Sequence, residues 1–179
     1  MTDAPARARI QYGASLCYPL STMSCHVTPS PNIRASHYVT MQARADIAHL
    51  GATGYELDTT RLSDEDFSRI AGQVAAYHRD EKLVLEGDLY RLVAPVEGSN
   101  LFAVMLVSKD KNTAKLTSMR FVDEVVSPLY PRGLAEDKYY EVPELGKTMT
   151  GKQWMDQGVA PEFAAGDYQT RTYHFITKI

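Results

Sequence analysis

The chain has 179 residues, of which 44% are hydrophobic and 23% are charged, and its formal net charge is -3. These values lie close to the averages for globular proteins, so they exclude a disordered chain, a collagen-like repeat and a coiled coil. The length fits one domain or two small ones, but it is too short for a complete (β/α)8 barrel, which needs about 250 residues.

Charge and cysteine content exclude several further classes. Basic residues are scattered among acidic ones, so we expect no nucleic-acid partner. The longest apolar runs, such as residues 101 to 107, are much shorter than the roughly 20 residues that span a bilayer, and residues 1 to 9 are not followed by the apolar core of a secretory signal. With only two cysteines, Cys17 and Cys25, no disulfide framework is predicted, and a reducing, cytoplasmic location is expected.

The first part of the sequence alternates between helical patterns and short apolar runs, which is typical of βαβ units in parallel sheets. Asp3, with Pro5 in the first turn, predicts a helix over residues 4 to 16. A short strand is predicted over residues 23 to 28. It ends in a loop of Pro, Ser and Asn over residues 28 to 32, which is long enough to carry function.

Two more helices and one strand complete this part. Apolar residues at helical spacing predict a helix over residues 36 to 50, and Gly51 ends it. A strand is predicted over residues 54 to 58. Ser63 and Asp66 then resemble a capping box, although Asp replaces the preferred Glu or Gln. One face of the helix that follows is marked by Phe67, Ile70, Val74 and Tyr77.

After residue 86 the pattern changes to short alternating runs separated by turn residues, which predicts an antiparallel β-sandwich. The predicted strands cover residues 88 to 93, 101 to 108, 114 to 122, 138 to 142 and 168 to 176. Pro128 and Pro131 make residues 123 to 137 a loop between sheets. The fold class is therefore α/β plus all-β, with one domain over residues 1 to 86 and another over residues 87 to 179.

His26 is the first candidate for chemistry, because it lies at the end of a predicted strand, where α/β folds place ligand-binding groups. It could bind a hydroxyl or move a proton, and it could equally hydrogen-bond a loop backbone. Cys25 could be a nucleophile only if a histidine and a third group converged on it, so a buried structural thiol is the favoured interpretation.

Carboxylates and the other histidines give weaker signals. Asp3 is interpreted as a helix cap, and Glu56 and Asp58 as charges at a strand end, since no local partner pairs them for glycosidic hydrolysis. Three further histidines are placed on predicted helices and expected to face water: His37, His49 and His78. No nucleotide, zinc or serine-hydrolase fingerprint occurs, so neither a cofactor nor a metal site is predicted.

Exposed aromatic rings often stack on sugars, which makes the aromatic residues of the second part worth weighing. These residues are Tyr139, Tyr140, Trp154 and Tyr168. Core packing is the favoured interpretation for such positions on alternating strands, and Trp154 is the position where the choice is most open.

Several short motifs together resemble one family over nearly the full length. In chain order they are Thr2-Asp3-Ala4, Ile10-Gln11-Tyr12-Gly13, Tyr18-Pro19, Met23, His26-Val27, Pro31-Asn32, Gly54-Tyr55-Glu56-Leu57-Asp58, Gly87-Asp88-Leu89-Tyr90-Arg91-Leu92 and Gly166-Asp167-Tyr168-Gln169-Thr170-Arg171. This set resembles the C-terminal portion of glycoside hydrolase family 36 α-galactosidases. Each motif alone is weak, and their common order makes the resemblance specific.

The resemblance implies a retaining hydrolase of terminal α-galactosides, such as melibiose and raffinose-type sugars, that uses two aspartates on a (β/α)8 barrel. Residues 1 to 86 would then be the C-terminal remnant of that barrel, with His26 at the end of the seventh strand and residues 54 to 58 as the eighth. Residues 87 to 179 would be the C-terminal β-sandwich. We expect His26 and Asn32 at the rim of the substrate site.

The same resemblance implies that the nucleophile lies upstream of this segment. Of the family's acid/base motif only Thr2-Asp3-Ala4 is present, and the catalytic aspartate of that motif is the one that precedes it. No residue is therefore assigned a catalytic role. Ser24 and Cys25 also depart from the small residues, such as Gly and Ala, that the family usually has there.

The sequence thus predicts a C-terminal fragment of an α-galactosidase that is inactive alone. The partners expected are α-galactoside sugars in the full-length enzyme and a separately encoded N-terminal part, and an oligomer is compatible with the family. The alternative is a non-catalytic β-sandwich module that binds carbohydrate or complements an enzyme.

Overall fold

The computed structural model describes residues 3 to 32 and 35 to 178, and its first part alternates between helices and strands. Thr2, which belongs to the first family motif, lies outside the described residues. The elements of this part are α1 (Ala4–Ala14), β1 (Ser24–Val27), α2 (Met41–Ala48), β2 (Ala52–Tyr55) and α3 (Asp64–Glu86). Each predicted element is present, with shifted ends.

Local hydrogen bonds explain these ends. Asp3 caps α1 by accepting from the backbone N–H of Ala6 at 3.3 Å, as predicted. The second helix starts at residue 41 rather than 36, because Thr40 Oγ1 accepts from the N–H of Ala43 at 3.1 Å and caps it. β2 ends at Tyr55 rather than residue 58, because the Asp58 side chain caps a short 3-10 turn.

β1 and β2 form a two-stranded parallel sheet, paired from Ser24 with Ala52 to Val27 with Tyr55. α2 covers one face of this pair, where Cys25 and Val27 are buried against small residues of the helix. The other face carries Ser24, which is exposed, and His26, which is partly exposed. This parallel pair therefore has one covered face and one open face.

The capping box that opens α3 is confirmed. Ser63 Oγ accepts from the N–H of Asp66 at 3.1 Å, and the Asp66 carboxylate accepts from the N–H of Ser63 at 3.2 Å. However, the apolar face that the sequence marks on α3 is not the one that the structure buries: Phe67 is 47% exposed and Val74 36%. The buried residues of α3 are Gln73, Asp80, Leu83 and Val84.

After α3, all the strands join one six-stranded antiparallel sheet in the order β3-β4-β5-β8-β6-β7. These strands are β3 (Asp88–Val93), β4 (Leu101–Val107), β5 (Thr113–Arg120), β6 (Tyr139–Val142), β7 (Lys147–Thr150) and β8 (Gln169–Thr177). The sequence predicted a sandwich of two sheets, whereas the described strands form this single sheet. The prediction missed β7, a short edge strand, and α4 (Gly151–Gln157), although Thr150 and Gln153 form its capping box.

The second layer expected of a sandwich is supplied by other elements. On one face, Phe102, Val104 and Met119 share a core with residues of α1, α2 and α3, such as Ile47. On the other face, Met105 and Leu116 pack with residues of the 123 to 137 loop and of α4, such as Leu129 and Trp154. Loop and helix thus cover the face that a second sheet would cover.

The predicted change of pattern at residue 86 coincides with the end of α3, and β3 starts two residues later. The segments before and after this point share one hydrophobic core. Whether they are separate domains stays a prediction. None of the described helices is long and apolar enough to cross a membrane.

Candidate functional site

The open face of the β1 and β2 pair is the candidate site, because it brings predicted polar residues together. Side chains alternate along a strand, so Cys25 and Val27 point to α2 while Ser24 and His26 point away from it. The strands are parallel, so their carboxyl ends meet at one edge, and the N–H of Glu56 extends the ladder to Val27 O at 2.9 Å.

His26 is held by groups from both strands. Its Nε2 lies 3.0 Å from Ser24 Oγ, and its Nδ1 lies 3.6 Å from Glu56 Oε2. Arg7 of α1 donates to the backbone carbonyl of His26 and so anchors the strand. The imidazole also lies over Gly54, where an added Cβ would stand 3.0 Å from His26 Cδ2. A glycine at position 54 therefore makes room for this ring.

The arrangement suits a hydroxyl ligand better than nucleophilic catalysis. The distance of 3.6 Å between Nδ1 and Glu56 exceeds hydrogen-bond range, so the carboxylate does not fix the ring as the acid of a Ser-His-Asp triad does. The His26 side chain is 40% exposed and can donate to or accept from a hydroxyl group. Glu56 is exposed at the strand end, as predicted.

Asn32, the second predicted rim residue, lies in the loop that follows β1, and its carbonyl accepts from the N–H of Ala35 at 2.9 Å. Two contacts hold this loop. Arg44 of α2 donates to the carbonyl of Thr28, and Ser30 Oγ accepts from the N–H of Val39 at 2.7 Å. Both predicted rim residues therefore belong to β1 and the loop beyond its carboxyl end.

Asp3 also joins a contact that sequence reasoning missed. Its Oδ1 lies 3.0 Å from His37 Nε2, and the His37 ring stacks on Tyr168 with centroids 4.3 Å apart. His37 precedes α2 rather than lying on a helix, so that prediction was wrong. No local signal links residues as distant in sequence as Asp3, His37 and Tyr168.

The other histidines and Cys25 have clear outcomes. His78 is exposed, as predicted, and lies 3.5 Å from Glu81. The prediction that His49 faces water was wrong: it is 4% exposed, and burial lowers its pKa to about 4, with a further contribution from Lys115. Cys25 is a buried free thiol, as predicted, and burial raises its pKa.

The aromatic residues divide between core and surface. Trp154 is 1% exposed, donates from Nε1 to the carbonyl of Tyr140 at 3.0 Å and packs edge-on against Phe175. Tyr140 is fully buried, whereas Tyr139 is 57% exposed. Core packing is confirmed for Trp154 and Tyr140, so these two residues offer no platform for a sugar. Over residues 3 to 32 and 35 to 178, no cluster of His, Cys, Asp or Glu is arranged to hold a metal ion.

Comparisons with known proteins agree over almost the whole chain. The Melibiase family model matches residues 1–87, and the model of the glycosyl hydrolase family 36 C-terminal domain matches residues 101–175. Alpha-galactosidase AgaA of Geobacillus stearothermophilus is 39% identical over 170 residues, which are 93% of this chain and 23% of the relative. Alpha-galactosidase Mel36A of Lactobacillus acidophilus is 36% identical over 97% of this chain and 24% of the relative.

Solved structures give the same result. The family 36 α-galactosidase AgaB of G. stearothermophilus superposes with a TM-score of 0.93 at 37% identity, covering 99% of this chain and 25% of that one. A variant of AgaA in complex with stachyose superposes with a TM-score of 0.94 at 36% identity, with the same shares covered. The chain thus spans about a quarter of the length of these relatives.

Proposed function

Since the chain belongs to glycoside hydrolase family 36, the melibiase family, we propose that it forms the C-terminal part of a retaining α-galactosidase and is inactive without the rest of that enzyme. In such an enzyme one aspartate attacks the anomeric carbon and a second protonates the leaving oxygen; water then hydrolyses the galactosyl-enzyme. Both aspartates would belong to the part of the enzyme that precedes this segment.

The open face of the β1 and β2 pair is the observation that carries the proposal. Parallel sheets are almost always covered on both faces, and sheets most often have about four to six strands. Here α2 covers one face, while Ser24 and His26 stand on the other. We take β1 and β2 to be the last two strands of a (β/α)8 barrel, and the open face to be part of its lining.

The proposed substrates are terminal α-galactosides, because the relatives are α-galactosidases and one of them was solved with stachyose. At the barrel rim, the His26 imidazole would hydrogen-bond a sugar hydroxyl while its hydrogen bond with Ser24 limits its rotation. The Asn32 amide would supply a second polar contact from the loop. Both roles are in binding and orienting the sugar.

An apolar surface on α3 supports association with a complementing part. Phe67 and Val74 are exposed on this helix, and Tyr38 is 64% exposed. Phe67 and Val74 lie two turns apart on one face of α3, and an apolar face exposed in this way favours coverage by another segment. The complementing module is thus the favoured alternative role, whereas sugar binding by stacking on Trp154 or Tyr140 is not favoured, since both rings are buried. The cytoplasmic location stays a prediction.

A complementation assay tests the proposal. The purified chain is assayed with a chromogenic α-galactoside, alone and after co-production with the upstream three quarters or so of AgaA from G. stearothermophilus. We expect background turnover for the chain alone and restored turnover for the pair. Turnover by the chain alone would show that the segment carries its own catalytic groups.

Matched histidine variants then test the rim. His26→Ala should lower kcat/KM of the complemented enzyme by about tenfold or more, since a hydrogen bond to the sugar is lost. His78→Ala, which changes an exposed histidine on α3, should leave kcat/KM unchanged. Equal effects of the two variants would remove His26 from the substrate site.

A further inference from the structure

A cleft of about 530 Å³ lies between helices α2 and α3 on one side and strands β5 and β8 on the other. We call it the α3 cleft. Because α2 separates it from the β1 and β2 pair, it lies on the opposite side of that pair from Ser24 and His26. Its volume is within the usual range of roughly 300–1,000 Å³ for small-molecule sites.

Buried charged groups form the inner part of the α3 cleft, and their carboxylates are already paired. Asp80 and Lys115 have side chains 7% and 5% exposed and form an ion pair of 2.9 Å. Asp80 also accepts from Arg79 Nε at 3.1 Å and lies 3.1 Å from His174 Nε2. The other ring nitrogen of His174 lies 2.6 Å from Glu144 Oε1. These carboxylates therefore have little remaining demand for a cation.

The third carboxylate of the cleft is also satisfied. Asp46 Oδ2 accepts from Thr170 Oγ1 at 2.5 Å, and its Oδ1 accepts from Gln42 Nε2 at 2.8 Å. Burial raises the pKa of Asp46. Each oxygen of Asp46 thus already has a hydrogen-bond donor from the protein.

The outer part of the α3 cleft carries three arginines: Arg69, Arg79 and Arg171. The side chains of Arg69 and Arg79 are 58% and 62% exposed. Among the described residues each arginine donates part of its N–H groups to protein acceptors, Arg69 to Glu65 and Arg171 to the carbonyl of Glu162. A guanidinium has further donors in a planar fork, which remain available to a ligand.

Four cationic side chains and three carboxylates therefore line the cleft, in a chain whose net charge is -3. The cationic ones are Arg69, Arg79, Arg171 and Lys115. Two buried polar atoms on its lining residues, His49 Nε2 and Thr172 Oγ1, also have no hydrogen-bond partner among the residues that the structure describes. Unpaired buried polar atoms are costly and often indicate a missing ligand or water. Cationic side chains and donor groups together favour an anionic ligand.

We propose that the α3 cleft binds a small organic phosphate of about monosaccharide size, whose phosphate group is held by Arg79 and Arg171. Arginine forks match the oxygens of a phosphate group, and the cleft is too large for the inorganic ion alone. The organic part of the ligand would lie towards Gln42 and Gln73, which also line the cleft. This binding goes beyond hydrolysis of galactosides and does not depend on it.

Calorimetric titration of the full chain tests this at constant ionic strength, with glucose 6-phosphate, inorganic phosphate and acetate as probes. We expect glucose 6-phosphate to bind, inorganic phosphate to bind more weakly, and acetate to bind least. Absence of binding by both phosphate probes would overturn the proposal, and so would acetate binding as tightly as glucose 6-phosphate.

Three variants locate the site. Arg171→Gln and Arg79→Gln should each weaken binding of glucose 6-phosphate about tenfold or more, since each removes a charged hydrogen bond. Arg61→Gln removes an arginine that is 84% exposed outside the cleft and should bind like the unchanged chain.

Because Arg79 also contacts Asp80, circular dichroism checks the fold and Arg171→Gln serves as the second variant. Equal affinity of Arg171→Gln and Arg61→Gln would rule out this site. Since no turnover is measured, failure here leaves the proposed hydrolase role untouched.

Discussion

The six-stranded sheet and the β1 and β2 pair differ in how completely they are covered. All seven residues of β4 (Leu101–Val107) are buried, because helices cover one face of its sheet while a loop and α4 cover the other. In β1, only Cys25 and Val27 are buried. One chain thus contains a sheet that is covered on both faces and a parallel pair that is covered on only one face.

α3 connects these two regions and shows the same contrast on its own surface. Towards the sheet it places Asp80 in an ion pair with Lys115, and towards α2 it places Gln73, whose Nε2 donates to the carbonyl of Met41 at 3.3 Å. Outwards it exposes Phe67 and Val74. Besides Leu83 and Val84, α3 thus buries polar groups, and the apolar side chains that it exposes favour a further surface that another segment covers.

The largest effect is expected in the covered sheet. Trp154→Ala should lower the free energy of unfolding by about 4 kcal/mol, because it leaves a cavity and removes the hydrogen bond from Nε1 to Tyr140 O. Urea denaturation measures the change. Tyr139→Ala, at a position 57% exposed, is the control and should change stability by less than about 1 kcal/mol. If Trp154→Ala lowers the free energy of unfolding by less than about 1 kcal/mol, α4 is not part of the core.

The next effect concerns the junction of α3 and the sheet. Lys115→Met should lower the free energy of unfolding by about 3 kcal/mol, because Asp80 loses an ion-pair partner in a buried site. Asp80→Leu in the same chain should restore part of the loss, since a buried apolar pair no longer carries an unpaired charge. A double variant less stable than Lys115→Met would show that the contacts of Asp80 with His174 and Arg79 dominate the junction.

The sequence predicts elements well where the signal is local. The caps at Asp3 and Ser63 and the parallel order of β1 and β2 follow from short motifs and alternation. The single sheet could not be predicted in this way, because strand patterns do not say which strands pair across long loops. The inward face of α3 was equally hidden, since Lys115 and His174, the partners of Asp80 in the sheet, lie far along the chain.

The candidate site shows the same division. From the sequence alone, His26 was a candidate because it lies at the end of a predicted strand. The family resemblance added Asn32 as a second candidate for the rim. The contacts of His26 with Ser24 and Glu56 needed the register of two strands, which only the structure supplies. His49 could not be recognised as buried, because the ring that lies against it, that of Tyr77 in α3, comes from a distant part of the sequence.

A change of pH should alter the free energy of unfolding by a smaller amount. The contribution of His49 should be lost as the pH falls, and that of His174 as the pH rises. Burial lowers the pKa of His49 from 6.5 to about 4, so its contribution to stability is complete above pH 6.5 and is lost as the pH falls towards 4. For His174, burial opposes charge, but hydrogen bonds to Asp80 and Glu144 outweigh it and raise the pKa above 6.5. Its contribution is complete below pH 6.5 and is lost as the pH rises through that raised value.

Urea denaturation at several pH values separates the two. Between pH 6.5 and about pH 5, the free energy of unfolding should fall by about 2 kcal/mol because of His49. The His49→Asn variant should not show this decrease. His174→Gln should instead reduce the loss of stability that the unchanged chain shows as the pH rises above 6.5. If neither variant changes the pH profile, both histidines have ordinary pKa values and the α3 junction is more open to water than the structure indicates.

Phe67→Ser should have the smallest effect on the free energy of unfolding of the isolated chain. It is also the variant that tests most directly whether a partner covers the exposed apolar face of α3. Phe67 is 47% exposed, so its loss should change the free energy of unfolding by no more than about 0.5 kcal/mol. If a complementing part covers this surface of α3, the same variant should weaken association by about tenfold or more, because the apolar area would be buried in the complex.

Val125→Ser, at a fully exposed position after β5, is the matched control and should change neither quantity. A large loss of stability in the isolated Phe67→Ser chain would instead place the ring in an existing core. Unchanged association would mean that the partner binds elsewhere and that the open face of β1 and β2 is completed without this surface of α3.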